Sequence, residues 1–364
     1  MNNERPSYLG SVINRICICD FVNLNAEGLF SVKTFGFISP KEAKLRLSAD
    51  EAGSGGRLSN LFTVESGFIF FIIACFTGCD IFEPVPEKYN EMVVVEAYAV
   101  ADQALPVVFI TTTVPADSGY TFPDAAVDNA DVQVVLMDDQ NEDEDEDVFL
   151  YASSESSPGL YEPQDLAHTV LPGRTYRLNV TFNSRPEKIQ AYTTIPDAFS
   201  ILNEVRDTIT YQSEEQLELV VQASQNQPAQ NVFAINTIAQ VPEPENLTPF
   251  YLNLIDETDS EAEDFIMNSS GLINEANFDV NPDGTVTLFI PWITVAFFED
   301  NIVIVNSVDK NLSDLIRSQN VQLGGSTLPP GEIPNVRYNI EGGIGIFGSI
   351  ASDTAKTYFK RPDE

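Results

Sequence analysis

Residues Thr175–Phe182 (TYRLNVTF) alternate without a break. Tyr176, Leu178, Val180 and Phe182 fall on one side, and Arg177, Asn179 and Thr181 on the other. A period of two belongs to a half-buried strand, and Pro172-Gly173 supplies a turn just before it. Runs of the same kind recur at Met92–Val100, Val107–Val114, Asp131–Met137, Val148–Ser153 and Ile189–Ile195, the last stopped by Pro196. Six or seven short strands spaced about 8–12 residues apart predict an immunoglobulin-like or transthyretin-like β-sandwich over residues 92–196. The pattern restarts after Pro196. Gln216–Ala223, Asn231–Ala239, Phe250–Ile255, Thr285–Ile290, Trp292–Phe298 and Ile302–Val308 all read as strands. Asp309–Gln319 reads as one short helix, capped by Asp309, with Leu312, Leu315 and Ile316 at helical spacing. Gly324–Pro334 is a Gly/Pro loop, and Val336–Asn339, Ile344–Ile350 and Lys356–Phe359 close the chain as strands. The expectation is a mostly β protein, with a second, larger β-rich domain over residues 197–364.

The four cysteines are Cys17, Cys19, Cys75 and Cys79. The apolar run Gly67–Thr77 (GFIFFIIACFT) is 11 residues long. A membrane-spanning helix needs about 20, whereas a signal-peptide core needs about 7–15. Gly78, Cys79 and Asp80 follow directly. A small residue and then Cys after such a core resembles a bacterial lipobox, and that resemblance implies cleavage before Cys79 and lipid attachment to it. Phe76 stands where Leu is usual, and Glu65 runs against the basic pattern, with Arg57 as the nearby positive charge. The bland alternative is a buried core segment with an incidental Cys. Residues 57–78 are therefore expected to be a lipoprotein signal peptide. Residues 79–91 are expected to be a tether, proline-broken at Glu83–Asn90. Residues 1–56 show no clear periodicity, contain GSGG at Gly53–Gly56, and are followed by no Met before Met92. They read as an unstructured gene-model extension, with translation starting near Leu58, Leu61 or Val64. A cytoplasmic N-terminal domain is the alternative.

Charge narrows the function. The 364 residues hold 55 acids and 19 Lys/Arg, a net charge of −36. Direct nucleic-acid binding needs the opposite sign, since cationic side chains must displace counterions from phosphates. Seven acids and seven bases lie upstream of Cys79, so the 48 acids and 12 bases from Cys79 onward still carry −36. Asp138–Asp147 (DDQNEDEDED) has eight acids in ten residues, yet the excess persists without it. This reads as a solvated acidic surface of halophilic type, with the tract as a self-repelling hairpin tip. Calcium chelation by the tract is the rival reading.

The motifs that carry chemistry are weak. Gly343, Gly345 and Gly348 spell G-x-G-x-x-G, but only 16 residues follow Gly348, too few for a dinucleotide βαβ unit. A strand that bends or packs closely is the better reading. Asp279, Asn281, Asp283 and Gly284 resemble the start of a calcium loop, but Pro282 interrupts it and Ile290 stands where Glu would close it. A turn at Asn281–Gly284 fits better. His168, the single histidine, is expected on an exposed loop, and no G-x-S-x-G accompanies it. Trp292, Phe297 and Phe298 could form a ligand platform, though core packing is favoured. No cofactor and no metal is expected.

Several segments together resemble one family. They are the Cys79-Asp80 start, MVVVEAYAV after the tether, LPGRTYRLNVTF, AYTTIP, and above all NIEGGIGIFGSIAS at Asn339–Ser352. With these the chain resembles the Bacteroidota envelope lipoprotein family catalogued as domain of unknown function 4249. The resemblance implies a β-rich lipoprotein of the cell envelope, often encoded beside an outer-membrane receptor, and no catalytic residues. The long leader and the acidic tip depart from it. The expectation is an outer-membrane protein anchored through Cys79. It would act as a non-catalytic binding or accessory subunit, with an outer-membrane receptor or transporter as partner. The rivals are an envelope hydrolase using paired carboxylates and a structural or adhesive surface protein.

Overall fold

Two β-layers close on each other through a strand that belongs to both. The computed structural model describes residues 23–24, 30–31 and 89–362, except 116–117, 142–143, 184, 225–230, 259 and 321–334. In chain order the strands are β1 (Asn23–Leu24), β2 (Phe30–Ser31), β3 (Val93–Val100), β4 (Val108–Thr112), β5 (Ala130–Met137), β6 (Asp145–Ser153), β7 (Leu160–Pro163), β8 (Thr175–Phe182), β9 (Lys188–Thr194), β10 (Thr208–Thr210), β11 (Glu218–Gln222), β12 (Val232–Ala239), β13 (Met267–Asn274), β14 (Thr285–Phe289), β15 (Glu299–Val308) and β16 (Ile344–Lys360). The helices are α1 (Phe122–Ala125), α2 (Pro249–Glu257) and α3 (Lys310–Asn320). The protein is mostly β, as its sequence predicts.

Strand β6 makes the junction between layers. Its residues 145–150 pair with β5, and Tyr151–Ser153 pair with β7. One layer is therefore β6-β5-β8-β9 and the other begins β7-β4-β3. The alternation read from TYRLNVTF is what fills the space between them. Tyr176, Leu178, Val180 and Phe182 of β8 meet Val93, Val95, Ala97 and Ala99 of β3 in one apolar cluster. A second cluster lies under β12 and β15, with Leu219, Val221, Phe233, Ile235, Val303 and Val305. The first cluster is not confined to residues before the expected boundary at 196–199, since Ile340, Phe347 and Ala351 belong to it. The sheet itself does not stop there. β16 is 17 residues long, pairs in parallel with β3 through Ile344–Ile350, and runs antiparallel to β15 through Ile350–Phe359. Glu91–Glu364 thus belongs to one compact unit, and Gly36–Asn90 to another that falls outside the described residues except Tyr89 and Asn90.

Several expected elements differ. Phe250–Ile255, expected as a strand, lies inside α2. Pro249 is tolerated at the first helical position, and Tyr251, Leu254 and Ile255 recur at the spacing of one helix face. Trp292–Phe298, expected as a strand, holds a 3₁₀ turn at Trp292–Thr294 and then irregular chain. Val336–Asn339 forms no strand, and Ile344–Ile350 and Lys356–Phe359 are parts of β16. The expected helix is α3, with the Leu312 amide donating to Asp309 Oδ1 at 2.9 Å. It is joined by α1 and α2, which the sequence reading missed. Gly324–Pro334 lies outside the described residues.

Candidate functional site

The side chain least reconciled with its surroundings is Glu96. It stands in β3, a strand buried on both faces because β16 flanks one edge, β4 the other, and an apolar cluster lies on each side. Val93, Val95, Ala97 and Ala99 point to one cluster, and Glu96 shares the opposite face with Tyr98 and Val100. Phe109 of β4 and Ile346 of β16 are its direct neighbours across the sheet. Glu96 is 5% exposed, and its Oε2 is buried with no hydrogen-bond partner among the described residues. Burial alone pushes its carboxyl up to about 7. Burial raises the Tyr120 phenol, the bond to the Thr111 side chain lowers it, and the Glu96 charge adds a smaller push upward. Phe109 meets Phe122 of α1 edge-on at 6.1 Å. Glu275 shows the usual alternative. It is equally buried, but its carboxylate accepts from the amides of Ser224 (2.9 Å) and Asn231 (2.7 Å). A buried carboxylate oxygen without a partner marks Glu96 as a candidate functional position, and nothing in the motifs pointed to it.

A second buried carboxylate is fully engaged. Asp309 caps α3, and burial pushes it up to about 6 against the hydrogen bonds that lower it. Thr193 Oγ1 donates to Asp309 Oδ2 at 2.8 Å and lies 2.8 Å from Ser349 Oγ, which donates to Thr194 O at 3.1 Å. This chain of hydroxyls ties β9 to α3 and β16. Asn339 adds to it, donating to Tyr192 O (3.1 Å) and Phe347 O (2.7 Å) while its Oδ1 accepts from the Phe347 amide (2.9 Å). No neighbouring carboxylate contributes to the shift of Glu96 or of Asp309.

The motif residues fall as follows. Cys79 and Gly67–Thr77 lie outside the described residues, as do residues 1–22 and 32–56. The acidic tract forms a hairpin closed by Asp138 N to Glu144 O at 2.9 Å. Its last three acids are not a loose tip but the start of β6. There Arg177 Nη2 donates to both oxygens of Asp145 (2.8 and 2.9 Å), and Arg174 pairs with Glu146. His168 is half-buried rather than exposed on its loop. Its ring lies 4.2 Å from that of Phe149, its Nε2 is 3.0 Å from the Tyr176 hydroxyl, and desolvation lowers its pKa. The turn at Asn281–Gly284 is closed by Gly284 N to Asn281 O at 2.9 Å, and Asp283 Oδ1 accepts from the Thr285 hydroxyl at 2.7 Å. Phe297 and Phe298 are buried in different clusters, and Trp292 packs half-buried against the second. Among the described residues, no three His, Cys, Asp or Glu side chains converge as a metal site, and no helix is long and apolar enough to cross a membrane.

The glycine motif is a packing device. A Cβ on Gly345, whose φ is +119°, would lie 2.0 Å from Val95 O, and one on Gly342 (φ +82°) would lie 2.2 Å from Lys188 O. Only glycine lets β16 approach β3, and the turn just before it approach β9, this closely. A family model described as Domain of unknown function (DUF4249) matches residues 80–356, a span that contains this whole arrangement. The chain belongs to the DUF4249 family. No curated protein matches it. Among solved structures it overlaps Escherichia coli alpha-2-macroglobulin activated by porcine elastase, with a TM-score of 0.20 and 10% identity. That overlap covers 75% of this chain and 24% of the other. Salmonella alpha-2-macroglobulin reacted with methylamine gives 0.19 and 8%, covering 76% and 24%. The DUF4249 chain thus spans about a quarter of the length of these proteins, and overlap at this level says nothing of its activity.

Proposed function

We infer that this DUF4249 chain is a Bacteroidota-type envelope lipoprotein, held at the outer membrane by a lipid on Cys79. It works there as a non-catalytic binding or accessory subunit of a receptor or transporter. The observation that carries the reading is the start of the family match at Asp80, the residue after Cys79. The shared domain begins one residue after Cys79, which the lipobox resemblance makes the first residue of the processed protein, a short step behind the apolar run Gly67–Thr77. For an accessory partner the surface offers exposed apolar side chains, among them Phe250 and Leu252 of α2 and Ile293. Exposed apolar groups on a strongly acidic surface suit contact with another protein. A hydrolase with paired carboxylates is less well supported, because Glu96 and Asp309 are each raised by burial and not by a neighbouring acid.

The test is fractionation of cells expressing the full chain and Cys79→Ser. The native protein should stay in the outer-membrane fraction through carbonate washing, and the variant should be released. Retention of Cys79→Ser would reject the anchor. Crosslinking and purification of the native protein should bring down an outer-membrane receptor or transporter in fixed ratio, and its absence would reject the accessory role.

A further inference from the structure

The outward face of the β6-β5-β8-β9 layer holds a groove of about 310 Å³, lined by Asp131, Gln133, Asn179, Thr181, Lys188 and Gln190 with the edge of Ile189. Strand register arranges these side chains in two ranks. Gln133, Asn179 and Gln190 lie side by side across three strands, and Gln190 Nε2 donates to Asn179 Oδ1 at 3.3 Å. Asp131, Thr181 and Lys188 form the next rank. The acid and the base are thus held two strand spacings apart, roughly 9.5 Å, with a hydroxyl between them. Among the described residues Lys188 has no ion-pair partner, whereas Arg177, one rank away, is committed to Asp145. On a chain of net charge −36, a groove with one acid, one base and three amides is a local exception.

We propose that this groove binds a short peptide with free termini. Asp131 takes its ammonium, Lys188 its carboxylate, and the amide rank its peptide bonds. Each element matches one group of such a ligand. A primary amide offers both a donor and an acceptor, which is what a peptide bond needs. An extended peptide advances about 3.4 Å per residue, so two or three residues place the termini roughly 7–10 Å apart, the span between Asp131 and Lys188. A zwitterion carries no net charge and is not repelled by the acidic surface, as a net anion would be. The groove has no aromatic lining, which sets it apart from a sugar platform built on ring stacking. The site goes beyond the anchoring and accessory reading and does not depend on it.

The experiment is titration calorimetry of the full chain with Ala-Ala-Ala and with N-acetyl-Ala-Ala-Ala-amide. The free peptide should bind with a Kd of about 1 mM or below, and the blocked one at least about fivefold more weakly, as expected for losing exposed ion pairs. Lys188→Gln and Asp131→Asn should each weaken the free peptide by about fivefold and leave the blocked one unchanged. Asn179→Ala should weaken both peptides. Melting temperatures within a degree or two of the native protein would show that the variants fold. Equal affinity for free and blocked peptide, or no binding of the free peptide at about 10 mM, overturns the proposal. Maltotriose binding in place of peptide would overturn it too, and would give the groove to carbohydrate.

Discussion

Glu96→Gln tests whether the lone carboxylate in β3 is as costly as its surroundings imply. Its carboxyl is ordinarily near 4.5 and is raised to about 7 in the folded chain. Between those values the folded protein holds a proton that the unfolded chain has released, so stability must fall as pH rises. The group costs nothing well below 4.5 and its full amount above 7. A tenfold change in proton affinity is worth about 1.4 kcal/mol, which puts the full cost at about 3 kcal/mol. At 5% exposure little of this is lost to solvent screening. Working near pH 4 is unwise because the sequence pI is near 4.1. From pH 5 to 8.5 the expected loss attributable to Glu96 is about 2.5 kcal/mol. The assay is urea unfolding of the native chain and Glu96→Gln at both pH values in about 1 M KCl, where the Debye length is about 3 Å and the general acidity is muted. Asp309 titrates in the same direction, but it is present in both proteins and cancels. The amide leaves a buried polar group of its own, so the variant need not be more stable at pH 5. What matters is that its advantage grows by about 2.5 kcal/mol toward pH 8.5. Parallel pH dependences would refute the reasoning and mean that Glu96 has a partner or water that holds it ionised.

Gly345→Ala should cost about 3 kcal/mol or more in denaturant unfolding, since the added methyl meets Val95 O at a left-handed φ; a midpoint unchanged from the native chain would contradict the close approach of β16 to β3. Asp309→Ala removes the α3 cap and the acceptor for Thr193, for an expected loss of about 2 kcal/mol, and a double-mutant cycle with Thr193→Val should show about 1 kcal/mol of coupling; additive losses would mean the two side chains do not act together. Melting temperature should rise with KCl, and neutralising Asp138, Asp139, Glu142, Asp143 and Glu144 should leave most of that rise in place; a curve that flattens on neutralisation would assign the salt response to the tract. Deleting Asp138–Asp147 whole would be uninformative, because Asp145–Asp147 belong to β6.

The layered core was legible because period two is a local signal. β8 has its expected bounds, and β3, β5, β12, β14 and β15 lie within a few residues of theirs. What failed had no such signal. β13 (MNSSGLIN) has few apolar residues to alternate, and β10 is three residues paired in parallel with β16. In Phe250–Ile255 the aromatic and branched residues suggested a strand. The spacing of Tyr251, Leu254 and Ile255 behind Pro249 was the helix signal that should have outweighed them.

The site residues divide in the same way, and the division is physical. Glu96 could have been singled out from sequence. VVVEAYAV is almost continuously apolar, and a run of that kind marks a strand buried on both faces, so an acid inside it must either find a partner or stay costly. Asp309 was legible as a cap because that role needs only its own helix. Its contact with Thr193, 116 positions earlier, was not. The groove was out of reach for a stronger reason. Gln133, Asn179 and Gln190 are unremarkable polar residues on three separate strands, and only the register of β5, β8 and β9 turns them into a rank. A one-residue slip of any of those strands would send its amide to the core face instead, so the same alternation that buries Leu178 and Val180 presents Asn179 to solvent. The core and the candidate ligand site are therefore two faces of one constraint. A substitution that shifts the register of β8 should lose both together.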